Sequence, residues 1–291
     1  MTSHRNTILV EDAEILEHTH HDGDQHILRV QAPNIAQRAQ AGSFAHISCH
    51  PLRPMRRPIS IMRVNKTQGH MDFLYKAFGE GTALLAEREV GEKINIMGPI
   101  GNPFVLHKER SRPLLIGGGV GMPPMVFLAD VLRAEKKHYS PFVILGSEVP
   151  FPFTTQPSEF MLPGIPDDVI ATMPLLEDWN IATRLTSTQG YPGCFNGFVT
   201  DLARKWLDAL SDEQRNEVEI FSCGPHPMLA AVAQLAKDYG VACQVSLEEF
   251  MACAVGGCAG CVVKVETPDG PAMKRVCVDG PVFDAHTVFV D

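Results

Sequence analysis

Four of the eight cysteines in this chain lie close together near its carboxyl-terminal end. Cys253, Cys258 and Cys261 fall within nine residues, and Cys277 follows after fifteen more. Apart from the thiols, residues 254–260 are only alanine, valine and glycine. A loop this poor in side chains cannot build a core of its own, and its glycines allow the backbone to bend sharply. The segment must therefore wrap closely around something else.

The spacing of these cysteines indicates what the loop surrounds. Four residues and then two residues separate the first three thiols, which is the plant-type ferredoxin spacing for a 2Fe-2S cluster, with the fourth thiolate coming later in the chain. Structural zinc also takes four thiolates, but its cysteines are usually spaced as two short couples. We expect a cluster, keep zinc as the alternative, and predict the ligands Cys253, Cys258, Cys261 and Cys277.

Length and composition limit the remaining possibilities. At 291 residues, the chain is long enough for at least two domains. A formal net charge of −9 disfavours a nucleic-acid surface, which needs clustered cations. The first residues lack the apolar core of a signal peptide, and no run of about 18 apolar residues occurs. We therefore expect a cytoplasmic protein that binds small molecules and proteins, without membrane or nucleic-acid contact.

Three segments with different hydrophobic patterns follow one another. Residues 1–108 contain short apolar runs separated by turn residues, which predicts an antiparallel barrel or sandwich. Residues 109–241 alternate apolar strands with helical patterns, which predicts a parallel α/β domain covered on both faces. Residues 242–291 hold the cysteine segment and one or two short closing strands, and form a small lobe.

The α/β segment carries two turns suited to a dinucleotide. In LLIGGGVGMPP a strand runs into a glycine-rich turn and then a helix, so that backbone N–H groups can approach a pyrophosphate. A second strand ends in FSCGPHPM, and the two turns should lie side by side at one sheet edge. A merely tight turn remains the alternative for either motif. The candidate residues are Gly117, Gly118, Gly119, Gly121, Cys223, Gly224 and Pro225.

Glu148 is a further candidate at this edge, and both it and Cys223 have a simpler explanation as well. Glu148 ends the strand PFVILGSE, where a carboxylate can accept hydrogen bonds from an adenosine ribose and repel a 2′-phosphate, favouring NAD over NADP. An ordinary solvated glutamate explains it equally. Cys223 is expected near the nicotinamide, and the alternative is a small buried apolar residue.

The first segment offers groups that suit a phosphate. Arg57 begins the strand RPISI, and Gly81 and Thr82 lie at a predicted strand-to-helix junction. A guanidinium pairs with phosphate oxygens, and free N–H groups at a helix start can cap one. An edge arginine and a plain helix cap are the alternatives.

Together these motifs resemble a known family. RPIS, LYK, GEGT, GPIGNPF, IGGGVGMPP and CGPHPM occur in the order found in ferredoxin-reductase-like flavoproteins. With SLEEFMACAVGGCAGCVVK and VCVDGPVFDA added, the chain resembles the electron-transfer subunits of class 1B dihydroorotate dehydrogenase from about residue 10 onwards. The resemblance implies an FAD-binding barrel (1–108), an NAD-binding α/β domain (109–241) and a 2Fe-2S lobe (242–291).

The resemblance also implies residue roles and a partner. Ser60 would lie near flavin N5, and Lys76 stands where relatives carry arginine. The partner would be the FMN-containing catalytic subunit that oxidises dihydroorotate in pyrimidine biosynthesis, with electrons passing to NAD⁺. The implied flavin contacts are Arg57, Pro58, Ile59 and Ser60, and the implied diphosphate and ribityl contacts are Leu74, Tyr75, Lys76, Gly81 and Thr82.

Other functions remain open from the sequence. A related NAD(P)H reductase subunit could serve a hydrogenase, a sulfur-reducing complex or a ferredoxin. A non-catalytic, zinc-stabilised binding protein on a degenerate flavoprotein scaffold is an alternative of a different class. The long stretch between Glu148 and Gly197 departs from the family pattern, and no role is assigned to it. The histidines of EHTHHDGDQH are best explained by a polar hairpin turn at Asp22 and Gly23.

Overall fold

The amino-terminal part of the chain forms a closed antiparallel barrel in a computed structural model that describes residues 7–290. The predicted segment limits at residues 1 and 291 lie outside this range. The strands are β1 (Leu9–His21), β2 (Gln25–Gln31), β3 (Phe44–Ile47), β4 (Arg57–Asn65), β5 (His70–Lys76) and β6 (Lys93–Ile100), and the helices are α1 (Pro33–Arg38) and α2 (Glu80–Ala86). The order around the barrel is β1-β2-β5-β4-β3-β6. The predicted antiparallel barrel is therefore confirmed.

Alternation along the strands explains why the barrel closes. Ala13 and Ile15 on β1 point inward and are fully buried, and Leu28 and Val30 do the same on β2. Residues between them face outward, as expected when successive side chains of a strand point to opposite faces. Closure pairs the strand edges of β1 and β6 with each other.

The second domain is a sheet of seven strands. Its strands are β7 (Arg112–Gly118), β8 (Phe142–Gly146), β11 (Ala182–Ser187), β12 (Phe195–Asn196), β13 (Val218–Cys223), β14 (Ala242–Ser246) and β17 (Val282–Asp284), with helices α3 (Met122–Ala134), α5 (Val199–Asp208), α6 (Asp212–Asn216) and α7 (His226–Tyr239). The order is β12-β11-β8-β7-β13-β14-β17, and every pair is parallel except β14 with β17. The predicted α/β fold is confirmed, with one antiparallel edge strand.

The stretch between Glu148 and Gly197 connects this sheet to the barrel. It contains β9 (Gln156–Pro157), β10 (Ala171–Thr172) and α4 (Pro174–Asp178). The Gln25 side chain of the barrel donates a hydrogen bond to the Pro150 carbonyl at 2.7 Å. Trp179 lies beneath two guanidinium groups, Arg63 of the barrel at 5.4 Å and Arg133 of α3 at 4.2 Å from the ring centroid. The stretch therefore packs against both domains.

The cysteine segment lies between two strands of the α/β sheet. The chain leaves the sheet through β14 and returns through β17, and between them it forms the hairpin of β15 (Val262–Thr267) and β16 (Gly270–Arg275). After β17 comes the short helix α8 (Ala285–Val288), so the predicted closing strands amount to one strand and one helix turn. No helix within residues 7–290 is both long and apolar enough to cross a bilayer.

Candidate functional site

The outer face of the barrel beside β4 gathers three of the predicted FAD contacts. Ile61 and Phe73 pair across β4 and β5 and are fully buried inside the barrel, so their neighbours Ser60 and Leu74 lie on the outer face. Pro58 shares that face because it is two residues from Ser60. The predicted contact Ile59 has the opposite parity and is buried. A cavity of about 260 Å³ opens between this face and α3. Its apolar side includes Met62, Leu74, Met122 and Phe153, and its charged side Glu17, Arg29, Arg63 and Asp72.

The guanidinium of Arg57 lies against the first turn of α2 at the barrel end. A Cβ on Gly81 would be 2.7 Å from that guanidinium, so a larger residue there would displace the Arg57 side chain from its position. Arg57 donates to the carbonyls of Met55 and Arg56 at 3.1 and 3.2 Å, and within residues 7–290 it forms no ion pair with a carboxylate. The N-cap residue of α2 is Gly79, which offers no side-chain cap. A guanidinium and uncapped N–H groups together fit a diphosphate.

The remaining predicted contacts of this group differ in exposure. Lys76 is exposed, whereas Tyr75 is buried and its hydroxyl lies 2.9 Å from His18 Nε2. Because His18 Nδ1 lies 2.7 Å from the Arg88 carbonyl and must donate to it, Nε2 accepts from Tyr75. Burial raises the pKa of Tyr75. The Tyr75 hydroxyl is thus already engaged within the protein, and its ring stacks on His26 at 5.2 Å.

The histidine-rich stretch forms the predicted hairpin. β1 and β2 pair antiparallel, with His20 opposite His26, and the turn between them contains Asp22 and Gly23. Burial, followed by the charges of neighbouring histidines, lowers the pKa of His26 to about 4. The hairpin prediction is confirmed.

The two glycine-containing turns lie side by side at the carboxyl edge of the sheet, as predicted. Strands β7 and β13 are parallel neighbours, and Gly117 pairs with Cys223. A Cβ on Gly121 would lie 2.3 Å from the Cys223 carbonyl oxygen, so the backbones touch at that point. Gly119 has φ +54° and nothing within 4 Å of its Cβ position, so its turn faces open space. Backbone N–H groups at such an edge fit a pyrophosphate.

The other predicted residues of this edge differ in what they expose. Glu148 is exposed and follows Ser147 after β8, the other neighbour of β7. Cys223 is fully buried, and burial, reinforced by the charge of Glu248, raises the pKa of its thiol well above the usual value. Pro225 is the N-cap residue of α7, and Gly224 precedes it. Gly118 ends β7 and is buried.

The four predicted ligand cysteines come together as two pairs. The Sγ atoms of Cys261 and Cys277 lie 3.4 Å apart, and both side chains are buried. The Cys258 thiol lies close enough to Cys253 to help lower the pKa of that thiol, so these two cysteines form the second pair. Two thiolates for each of two irons is the ligand arrangement of a 2Fe-2S cluster. Across residues 7–290, no three His, Cys, Asp or Glu side chains converge as ligands of a single metal ion.

Backbone N–H groups of the loop point at the sulfurs. Burial acts to raise the pKa of Cys253, but hydrogen bonds from the backbone of Val255, Gly257 and Cys258 and from the Cys258 thiol outweigh it and lower that pKa to about 7. The Gly260 N–H lies 3.4 Å from the Cys258 Sγ. Donors aimed at sulfur stabilise negative charge there, so the loop fits a thiolate-bound cluster.

The structure also reveals a contact residue that the sequence did not identify. The Asn102 side chain donates to the Asp279 carbonyl at 2.9 Å and to the Val278 carbonyl at 3.3 Å, directly after Cys277. Asn102 belongs to the motif GPIGNPF, which carried the resemblance but had no assigned role. The motif links the end of the barrel to the cysteine segment.

Sequence comparisons find relatives of this chain in one protein family. A family model described as the iron-sulfur cluster binding domain of dihydroorotate dehydrogenase B matches residues 248–289. The electron transfer subunit of dihydroorotate dehydrogenase B (NAD(+)) from Caldanaerobacter subterraneus subsp. tengcongensis is 34% identical over 253 residues, which is 87% of this chain and 88% of that protein. The subunit of the same name from Bacillus cereus (strain B4264) is 34% identical over 289 residues, 97% of each chain.

Solved structures show a similar fold. The structure of an NADH-dependent reduced ferredoxin-NADP oxidoreductase superposes with a TM-score of 0.76 at 24% identity, covering 96% of this chain and 90% of that one. The ferredoxin reductase in carbazole 1,9a-dioxygenase gives a TM-score of 0.62 at 22% identity, covering 80% and 67%. At these identities the likeness shows the fold alone.

Proposed function

Because the chain belongs to the family of dihydroorotate dehydrogenase B electron transfer subunits, we propose that it carries electrons between an FMN-containing catalytic subunit and NAD. The reaction served is the oxidation of dihydroorotate in pyrimidine biosynthesis, and the resident cofactors are FAD and a 2Fe-2S cluster. The single observation that carries the proposal is the grouping of the four cysteines into two pairs, with the Sγ atoms of Cys261 and Cys277 only 3.4 Å apart. The segment that holds them is hydrogen-bonded to the barrel. When bound, FAD exchanges a hydride with nicotinamide and single electrons with the cluster.

The outer face of the barrel would hold the flavin. Pro58 and Ser60 on β4 and Leu74 on β5 share one face, and the cavity that Leu74 lines has an apolar side that suits a flat aromatic ring. Ser60 supplies a hydroxyl that can donate or accept a hydrogen bond at flavin N5. In this arrangement Ile59 contributes backbone rather than side chain, because its side chain is buried in the barrel.

The barrel end would hold the diphosphate of FAD. Arg57 presents its guanidinium beside the first turn of α2, where Gly81 leaves space and Thr82 follows. Lys76 is exposed at the end of β5, shortly before α2, and can add a further positive charge. Tyr75 would contact FAD with its ring and not with its hydroxyl, because the hydroxyl already forms a hydrogen bond with His18. These groups orient the cofactor and neutralise its charge.

The carboxyl edge of the α/β sheet would hold NAD. Gly119 faces open space, and Gly117, Gly118 and Gly121 keep the turn close to the neighbouring strand. We assign the ribose to Glu148, whose exposed carboxylate can accept its hydroxyl groups and would repel a 2′-phosphate. The second turn, Cys223 to Pro225, would lie beside the nicotinamide and keep water from its reactive face.

The ligand set and the compartment complete the proposal. Cys253 and Cys258 would bind one iron, and Cys261 and Cys277 the other, following the two thiol pairs. None of the eight cysteines, all of which the structure describes, forms a disulfide, which agrees with a reducing compartment, and we place the protein in the cytoplasm.

An anaerobic NADH titration of the purified protein tests this function. FAD and iron are quantified on the same sample, and visible absorbance is followed during the titration. We expect flavin bleaching followed by loss of iron–sulfur absorbance, and reoxidation on adding the FMN-containing catalytic subunit with orotate. A colourless protein that contains zinc, and that FAD and iron cannot reconstitute, would exclude the proposed function.

A further inference from the structure

The cysteine segment is fixed to the barrel directly after its last thiol. Besides its two side-chain hydrogen bonds to the carbonyls of Val278 and Asp279, Asn102 donates its backbone N–H to the Gly280 carbonyl at 2.6 Å. The neighbouring Gly101 has φ +91°, and a Cβ there would be 2.2 Å from Pro281 Cδ. Three hydrogen bonds and one close contact therefore join Gly101 and Asn102, at the end of the barrel, to the segment that follows Cys277.

A second contact lies just before the first thiol. His46 on β3 is 1% exposed and packs beside Met251, two residues before Cys253. The carbonyls of Arg56 and Met251 approach its ring, yet neither ring nitrogen forms a hydrogen bond of ordinary geometry within the described residues. Burial, followed by the charge of Arg56, lowers the pKa of His46 to about 4, so the ring is neutral at pH 7. An uncharged imidazole fills this junction.

The same imidazole lies beside the flavin face. His46 and Pro58 are directly opposite in the register of β3 and β4, so their side chains share the outer face of the barrel. Pro58 is a proposed flavin contact, while Met251 leads into the cysteine loop. His46 therefore touches both the strand assigned to FAD and the segment assigned to the cluster.

Buried apolar residues lie at the same junction. Phe44 on β3 and Ile100 on β6 are buried in the same hydrophobic cluster as Cys261 and Cys277. The buried pair of thiols thus belongs to a hydrophobic core that also includes barrel residues. The barrel therefore contacts the lobe both before its first cysteine and after its last.

We propose that Asn102 and His46 are positioning residues that fix the cysteine lobe against the flavin-binding face and thereby set the geometry between the two cofactor sites. This inference rests on the proposed function. Transfer between two sites depends steeply on their separation and orientation, so a lobe held at both ends of its ligand loop keeps that geometry constant during turnover. The partner subunit then meets a rigid surface.

The test compares Asn102→Asp with the matched control Asn65→Asp. Aspartate keeps the size of the side chain but removes the donors and places a carboxylate against two carbonyls. Asn65 lies on the same barrel, and its side chain bonds only within its own turn, to Gln68. Each lost hydrogen bond shifts an equilibrium by about fivefold. After loading with FAD and iron, stopped-flow mixing with NADH resolves flavin reduction from cluster reduction, and pulsed EPR of the partly reduced protein measures the distance between the cofactors.

We expect Asn102→Asp to reduce its flavin at the wild-type rate, to reduce its cluster at least about fivefold more slowly, and to broaden the distance distribution. His46→Ala should act in the same direction, and Asn65→Asp should match wild type. Unchanged cluster reduction and an unchanged distance in both variants would overturn the inference, as would loss of iron with the flavin retained, since that means a role in assembly. Failure of wild type to reduce its cluster would instead refute the proposed function.

Discussion

Adding one methyl group at Gly121 should separate the two turns of the proposed NAD site. The Cβ of Gly121→Ala would lie 2.3 Å from the Cys223 carbonyl oxygen, and that oxygen belongs to backbone, which cannot swing aside as a side chain can. The two strand ends must move apart by about 1 Å to reach ordinary contact. Such overpacking costs about 2 kcal/mol, which lowers the melting temperature by roughly 4–8 °C in a domain of this size.

Gly119→Ala is the matched comparison. Its φ of +54° disfavours alanine by about 1 kcal/mol, but its Cβ position has no neighbour within 4 Å. We therefore expect a smaller loss of melting temperature, roughly 2–4 °C, together with weaker NADH binding because the methyl group enters the space assigned to the pyrophosphate.

Thermal unfolding followed by circular dichroism, on samples with equal FAD content, gives the stability change, and equilibrium titration gives the NADH affinity. If Gly121→Ala melts and binds NADH like wild type, the two turns do not touch as described and the reasoning fails. If Gly119→Ala loses more stability than Gly121→Ala, backbone conformation outweighs the close approach.

Cys258→Ser should remove the iron–sulfur absorbance while NADH still bleaches the flavin, whereas Cys194→Ser should keep both; iron analysis and visible spectra distinguish them. Arg57→Ala should weaken FAD binding by about 2 kcal/mol, or roughly 30-fold, measured by flavin fluorescence on dilution, and unchanged affinity would remove Arg57 from the site. Glu148→Ala should raise kcat/KM for NADPH relative to NADH, and an unchanged ratio would leave Glu148 an ordinary surface glutamate. The pKa of His26 falls from 6.5 to about 4 on folding, so its contribution to stability is complete above pH 6.5 and is lost as the pH falls towards 4. In a plot of melting temperature against pH, His26→Phe should therefore flatten the slope between these values. An unchanged slope would contradict this prediction.

The sequence was sufficient to predict those strands and turns that depend on residues adjacent in the chain. Short apolar runs were sufficient to predict antiparallel strands, and the family resemblance selected a barrel over a sandwich. A strand, glycines and a helix start were sufficient for the turn at Gly119. The pairing of Gly117 with Cys223 also followed, because parallel strands meet at one edge.

Contacts between distant segments could not be predicted in this way. Nothing in the sequence around Asn102 indicates that it donates to carbonyls 176 and 177 positions later, because those acceptors are main-chain groups without a residue signature. The burial of Tyr75 against His18 is likewise a result of barrel closure. For the same reason, the hairpin of β15 and β16 is absent from the sequence prediction, as its alternation is short and half exposed.

The path of the chain through β14 and β17 makes the iron–sulfur lobe an insertion and not a detachable tail. β17 is the outer strand of the seven-stranded sheet, and it is reached only after the lobe has been made. Truncation before the cysteines would remove this strand and leave hydrogen-bonding groups of β14 unpaired at the edge of the sheet, where another chain could pair with them. Any modular exchange of lobes between relatives must therefore carry the closing strand with it, and the protein can finish its sheet only after its redox segment has been synthesised.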